Sequence, residues 1–136
     1  MKYATIYAHG DAVTFMQDKR VLGSIGLCVK WRGSGVVWTW LDKDLVTRFP
    51  VWLRRETINR LRTSVEMRGL WRVESDAPTD APASIEWLES LGFVNEGLMP
   101  RYGYDGRDHY RYAWVDGISQ LGVTVRQKQM QQRRVA

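Results

Sequence analysis

Two side chains are the candidates for proton transfer. His109 opens an aromatic-rich stretch directly after Asp108, and a histidine exchanges its proton near neutral pH. Glu96 is an isolated carboxylate on a candidate strand, a residue type that serves as a general base when held near a reacting amine. Each has a plainer reading. His109 would be an exposed residue at a hairpin, and Glu96 a strand residue hydrogen-bonded to its neighbour. His9 lies in the turn His9-Gly10-Asp11 and reads as surface. Two histidines a hundred positions apart and a single cysteine make no metal-ligand spacing, so no metal site is expected. Cys28, inside the apolar run Ser24–Val29, reads as a small core residue rather than a nucleophile, and it gives no disulfide framework.

Recognition is the other chemistry on offer. Seven tryptophans in 136 residues exceed what a small core needs. Trp31, in a Trp-Arg-Gly loop, and Trp52 are the ones expected at contacts with partners, where tryptophan is enriched. Charge is segregated. Arg54, Arg55, Arg60, Arg62 and Arg68 crowd residues 50–69, and five acids without a base fill 74–89. Of the net charge of +5, four positive charges (Arg126, Lys128, Arg133 and Arg134) sit in the last twenty residues with no acid. Arg54, Arg55, Arg62 and that tail could meet an acidic protein surface or, non-specifically, nucleic-acid phosphates. No helix-turn-helix, finger or RNA-binding aromatic pattern accompanies them.

The elements that must position these groups follow from periodicity and punctuation. Strands are expected at Tyr3–Ala8, Ala12–Met16, Val21–Lys30 and Val36–Leu41, the second and third joined by the polar turn 17–20. A long helix runs about 49–68, with Pro50 in its first turn, Asp44 or Thr47 as cap and Gly69 as stop. Its apolar face carries Val51, Leu53, Ile58, Leu61 and Val65. Leu70–Glu74 is a short strand, and 75–84, with Pro78 and Pro82, a loop. A short helix spans about 83–91 with the stripe Ile85, Leu88 and Leu91, closed by Gly92. Strands Phe93–Tyr104 and His109–Val115 flank the turn 105–108. In the last strand Tyr110, Tyr112 and Trp114 face one way, and His109, Arg111 and Ala113 the other. The result is an α+β or mixed α/β fold, a central, mostly antiparallel sheet with two helices. Residues 1–116 form the domain. The Gln- and Arg-rich tail 117–136 has too little apolar content to hold itself down and is expected to be held by a partner. No stretch reaches the ~18 apolar residues of a membrane span, and the N-terminus lacks a signal-peptide run.

Residues 83–115 resemble the C-terminal segment of the Gcn5-related N-acetyltransferases (GNAT). There a short helix ends in Leu-Gly-Phe, here Leu91-Gly92-Phe93, and a strand carries Glu-Gly, here Glu96-Gly97, before an aromatic-rich hairpin strand. The upstream order of strands, long helix and strand also fits, so the resemblance spans about residues 12–116. It implies a truncated GNAT-like fold. Under that resemblance an active enzyme would transfer an acyl group from acetyl-CoA, with Glu96 or His109 as base and Lys43 and Arg48 near the cofactor.

Three departures point away from catalysis. The family's glycine-rich diphosphate loop is replaced by Asp42–Pro50, which has no glycine, two aspartates and a proline lacking an N–H. The positions of the family's cofactor-binding Asn and thiolate-protonating Tyr hold Ala81 and Leu88. The first strand and two helices of the family have no counterpart in the eleven residues before the first matched strand. This pattern is similar to the small acetyltransferase-like virion proteins of short-tailed bacteriophages. The resemblance implies a non-catalytic structural component of a phage particle (internal, portal or head–tail), without cofactor. It would be made in the host cytoplasm and bound in several copies to other virion proteins, with incidental contact to packaged DNA. An active GNAT-type N-acyltransferase and a non-specific nucleic-acid binder are the alternatives.

Overall fold

The computed structural model describes the backbone of residues 5–9 and 11–135 and the side chains of 11–124, 127 and 129–135. Seven strands form one sheet in the order β1-β2-β3-β4-β5-β7-β6. The first four, β1 (Thr5–His9), β2 (Ala12–Gln17), β3 (Arg20–Trp31) and β4 (Ser34–Leu41), are an antiparallel meander. A crossover through α1 (Lys43–Arg48) and α2 (Pro50–Arg68) leads to β5 (Arg72–Pro78), which lies parallel to β4. A second crossover through α3 (Pro82–Ser90) reaches the edge strand β6 (Val94–Met99), and β7 (His109–Val115) returns between β6 and β5, antiparallel to both. The mixed, mostly antiparallel α/β architecture expected from the sequence is the one observed.

Alternation divides the sheet into two faces. Val13, Phe15, Ile25, Leu27, Val37, Val73, Tyr112 and Trp114 share one face by register and are buried with Leu53, Ile58 and Leu61 of α2 and Leu88 of α3. Each of these leucines and isoleucines contributes about 2 kcal/mol by leaving water. The second face carries Cys28, Trp38, Trp40, Arg72, Glu74, Asp76, His109 and Arg111. Cys28 is therefore exposed rather than in the core, and Trp38 and Trp40 are both substantially exposed.

Several boundaries differ from expectation for identifiable reasons. Tyr3 and Ala4 lie outside the described residues. Asp42 caps an additional helix, α1, by accepting from the Asp44 amide at 2.8 Å, so the segment before Pro50 is helical rather than a turn. The apolar stripe of α2 is Leu53, Thr57, Ile58 and Leu61, and Val51 is 77% exposed. Strand β5 continues through Ser75, Asp76 and Ala77 because β7 pairs with it out to Pro78↔His109. The proline ends this strand instead of opening a loop at 75. The packed unit also continues past 116. Leu121 is buried, and the Gly122 amide donates to the Leu91 carbonyl at 2.8 Å. The remainder of the tail forms α4 (Val125–Val135). None of the described helices is long and apolar enough to cross a membrane.

Candidate functional site

The site begins where two parallel strands stop pairing. The β4–β5 register runs through Ser34↔Arg72, Gly35↔Val73 and Val36↔Glu74 and goes no further. The Ser75 hydroxyl then donates to the Val37 carbonyl at 3.1 Å, and beyond that tie the strands part. Trp38–Leu41 stays paired with β3, and Asp76–Pro78 with β7, leaving a gap between. The Val37 carbonyl points toward β5. Main-chain direction repeats every second residue, so the N–H and C=O groups of Thr39 and Leu41 also point into the gap. On the opposite bank the Arg72 amide donates toward β4, to the Gly33 carbonyl at 3.1 Å, which directs the main chain of Asp76 into the gap as well.

A cavity of about 650 Å³ occupies this opening. Thr39, Leu41 and Ser75 line it from the core face, Asp76 and His109 from the second face, and Ser84, Trp87 and Leu88 of α3 and Lys43, Val46 and Thr47 of α1 close its sides. The cavity is thus bordered by residues of both sheet faces. Among the described residues the buried indole N–H of Trp87, a residue of this wall, has no hydrogen-bond partner.

His109 and Asp76 meet at the second-face mouth. The two lie 2.6 Å apart, His109 Nδ1 to Asp76 Oδ2. Facing a carboxylate acceptor, Nδ1 is the ring nitrogen that donates, and Nε2 is the one on the far side of the ring. Tyr102 packs edge-on to the imidazole with ring centroids 5.6 Å apart. Nε2 faces the loop between β6 and β7 at Gly103, where a Cβ would stand 2.8 Å from it. Asp108, the neighbour in sequence, is turned away and accepts from the Arg101 amide at 2.8 Å. The sequence reading named His109 but missed Asp76, because it ended β5 at Glu74. Pairing the acidic run 74–76 against the last strand was the signal that could have found it.

Glu96 is not in this site. Both its oxygens are held by the Arg72 guanidinium, and Arg72 Nε also donates to Glu74 Oε1 at 2.8 Å. Glu74 further pairs with Lys30 at 3.2 Å and Arg111 at 3.3 Å. The hydrogen bond from Arg72 holds the Glu96 carboxyl below the usual range. Burial works to raise Glu74, but the hydrogen bonds from Arg72 and Lys30 and the charge of Arg111 outweigh it and leave Glu74 lowered too. A carboxylate so held is a poor base. Tyr112 is the reverse case: burial first, then its hydrogen bond to Glu89, pushes its hydroxyl up to about 12.

The other sequence candidates are scattered. Lys43 lines the cavity, whereas the Arg48 guanidinium donates to Gln17 at 3.0 Å. Trp31 is 62% exposed, but Trp52 packs edge-on to Phe15, with ring centroids 5.6 Å apart. Arg54 is spent inside the fold, donating to the carbonyls of Ser90 and Gly122. Arg55 and Arg62 are exposed on α2, as are Arg133 and Arg134 on α4. Arg126 and Lys128 also belong to α4, but their side chains lie outside the described residues. Among the described residues no three His, Cys, Asp or Glu side chains are grouped to hold a metal ion.

No family model and no curated protein matches the chain. Its backbone, however, superimposes on solved acetyltransferases. The fold is that of the Gcn5-related N-acetyltransferases. Ard1 from Thermoplasma volcanium matches with a TM-score of 0.66 at 15% identity, over 77% of this chain and 70% of that one. A spermidine N-acetyltransferase SpeG chimera from Vibrio cholerae and hSSAT matches with a TM-score of 0.64 at 15% identity, over 76% and 65%. The ribosomal-protein-S5-alanine acetyltransferase from Vibrio fischeri matches with a TM-score of 0.64 at 18% identity, over 80% and 63%. The chain thus spans roughly two thirds of the length of these GNAT-fold structures. These matches overturn the reading as a non-catalytic phage-particle component. The SpeG chimera, the ribosomal-protein-S5-alanine enzyme and a GNAT-family structure from Bacillus anthracis are named as acetyltransferases, and nothing links the chain to virion proteins.

The fold implies acetyl-CoA, and the cavity fits its two halves unequally. The gap suits the pantetheine arm, an extended chain of amides able to lie along the unpaired main chain of Thr39, Leu41 and Asp76. The diphosphate finds no nest of amides on α1. The amides of Asp44, Leu45 and Val46 are spent on Asp42, and that of Phe49 on the Leu45 carbonyl. Pro50 has no N–H, and no residue of α2 lines the cavity. The Asp44 amide also holds the Asp42 carboxyl below its ordinary range, and Asp42 and Asp44 share Arg20. Two carboxylates therefore stand where a diphosphate would need donors.

Proposed function

We propose that this chain is an N-acyltransferase that moves an acyl group from a thioester to an amine within the β4–β5 gap. The observation that carries the reading is the His109–Asp76 pair bordering the cavity where β4 and β5 part. A thioester reaching in from the helix-covered side and an amine arriving from the second face would meet between the strands. His109 is the ionisable ring bordering the gap; for it to take the amine's proton on Nε2, the amine or a water carrying its proton must reach the Gly103 side of the ring, and Asp76 then stabilises the imidazolium that results. The main-chain amides directed into the gap are available to a polarised carbonyl oxygen. Where the family keeps a tyrosine for the leaving thiolate this chain has Leu88, so the departing sulfur would rely on Lys43 and Ser84 in the cavity wall.

Thiol release from acetyl-CoA and from S-acetylpantetheine, measured with a panel of primary amines, tests this reading. We expect amine-dependent release that His109→Gln abolishes. Release indifferent to His109, or no release and no binding of either thioester, would overturn it.

A further inference from the structure

We infer that the donor is recognised through its acyl-pantetheine arm and that the nucleotide half of CoA adds little to binding. The inference rests on the proposed acyl-transfer reading and concerns which part of the donor the cavity grips. The arm has a built seat: the unpaired main chain of Thr39, Leu41 and Asp76, and the walls of α3 and α1. The seat that would hold a diphosphate is filled by α1 itself. Its cap turns the Asp44, Leu45 and Val46 amides inward onto Asp42, so they are consumed before any anion arrives. Of the three nearby cations, Arg20 is shared by Asp42 and Asp44 and Arg48 is engaged with Gln17, while Lys43 offers one flexible, exposed ammonium, which salt screens. An arm on any carrier, or on none, would then be as good a donor as CoA.

Calorimetric titration of the full chain with CoA and with pantetheine decides the matter. The expected result is that their dissociation constants agree within about tenfold. CoA binding tighter than that would overturn the inference while leaving the acyl-transfer reading in place. Failure of both to bind would overturn the reading itself. Two variants locate the binding. Ser84→Trp, at an exposed position in the cavity wall, should weaken both ligands on the order of tenfold or more, and indifference to it would place them elsewhere. Arg48→Ala, outside the cavity lining, should leave the affinity for CoA within about twofold, and a tenfold loss confined to CoA would show that side chains hold the diphosphate after all.

Discussion

Glu74 and Asp76 lie two residues apart on the same strand and the same face, yet their surroundings give them opposite uses. Glu74 is only 11% exposed in its side chain and is surrounded by Lys30, Arg72 and Arg111. Among the described residues the Asp76 carboxylate has a single side-chain partner, the imidazole of His109, and it borders the cavity. The difference arises from the neighbour across β4. At Glu74 the sheet is continuous, and cations from β3, β5 and β7 converge on it. At Asp76 strand β4 has already turned away. A carboxylate that balances several cations holds strands together, whereas one that orients an ionisable ring beside an opening is equipped for proton transfer. Residue type alone does not separate them; the end of the β4–β5 pairing does.

The contrast can be broken most severely at its catalytic half. His109→Gln should lower amine-dependent thiol release by about 10²–10⁴ while the urea midpoint stays near that of the parent chain. Glu74→Ala should do the opposite. It leaves three cations facing one another and is expected to cost about 3 kcal/mol of stability, read from urea denaturation, with turnover per folded molecule retained. Gly103→Ala sharpens the catalytic half further, because a methyl group there stands against Nε2. The same methyl would also meet Asp105 Oδ1 at 2.8 Å and the Arg107 carbonyl at 3.2 Å, so the loop must shift, and a loss of about tenfold in turnover per folded molecule is expected. The smallest effect is a pH dependence. The folded-state carboxyls of Glu74 and Glu96 sit below their ordinary value, so the stability they confer is fully present above the unfolded value of 4.5 and is lost as pH falls below it. Urea midpoints should hold from pH 7 to 5 and decline below that, and Glu96→Gln should flatten the decline.

The sequence was most readable where one side chain type repeats with the period of its element. Tyr110, Tyr112 and Trp114 defined the core face of β7, and Ile85, Leu88 and Leu91 that of α3. It was least readable where a partner strand decides. Asp76 and Ser75 read as loop residues because Pro78 and Pro82 punctuate the segment, and only pairing with β7 draws them into a strand. Helix α1 was hidden for a similar reason. Its six residues carry too short a period to register, and it is fixed by the Asp42 cap and the burial of Leu45. The candidate site was thus half visible. His109 was singled out from its chemistry, but its partner came from a register that local patterns do not encode, and Glu96 was misplaced because its arginine lies 24 positions upstream.

Gly92 adopts φ +96, and a Cβ there would come within 2.1 Å of the Gln120 carbonyl oxygen. The returning chain is thereby pressed directly onto the end of α3, with Leu121 seated like a stopper in the hydrophobic interior. Anyone shortening this polypeptide should keep everything through Gly122. A cut just after β7 would unseat that stopper and open the floor beneath the helix that walls the cavity.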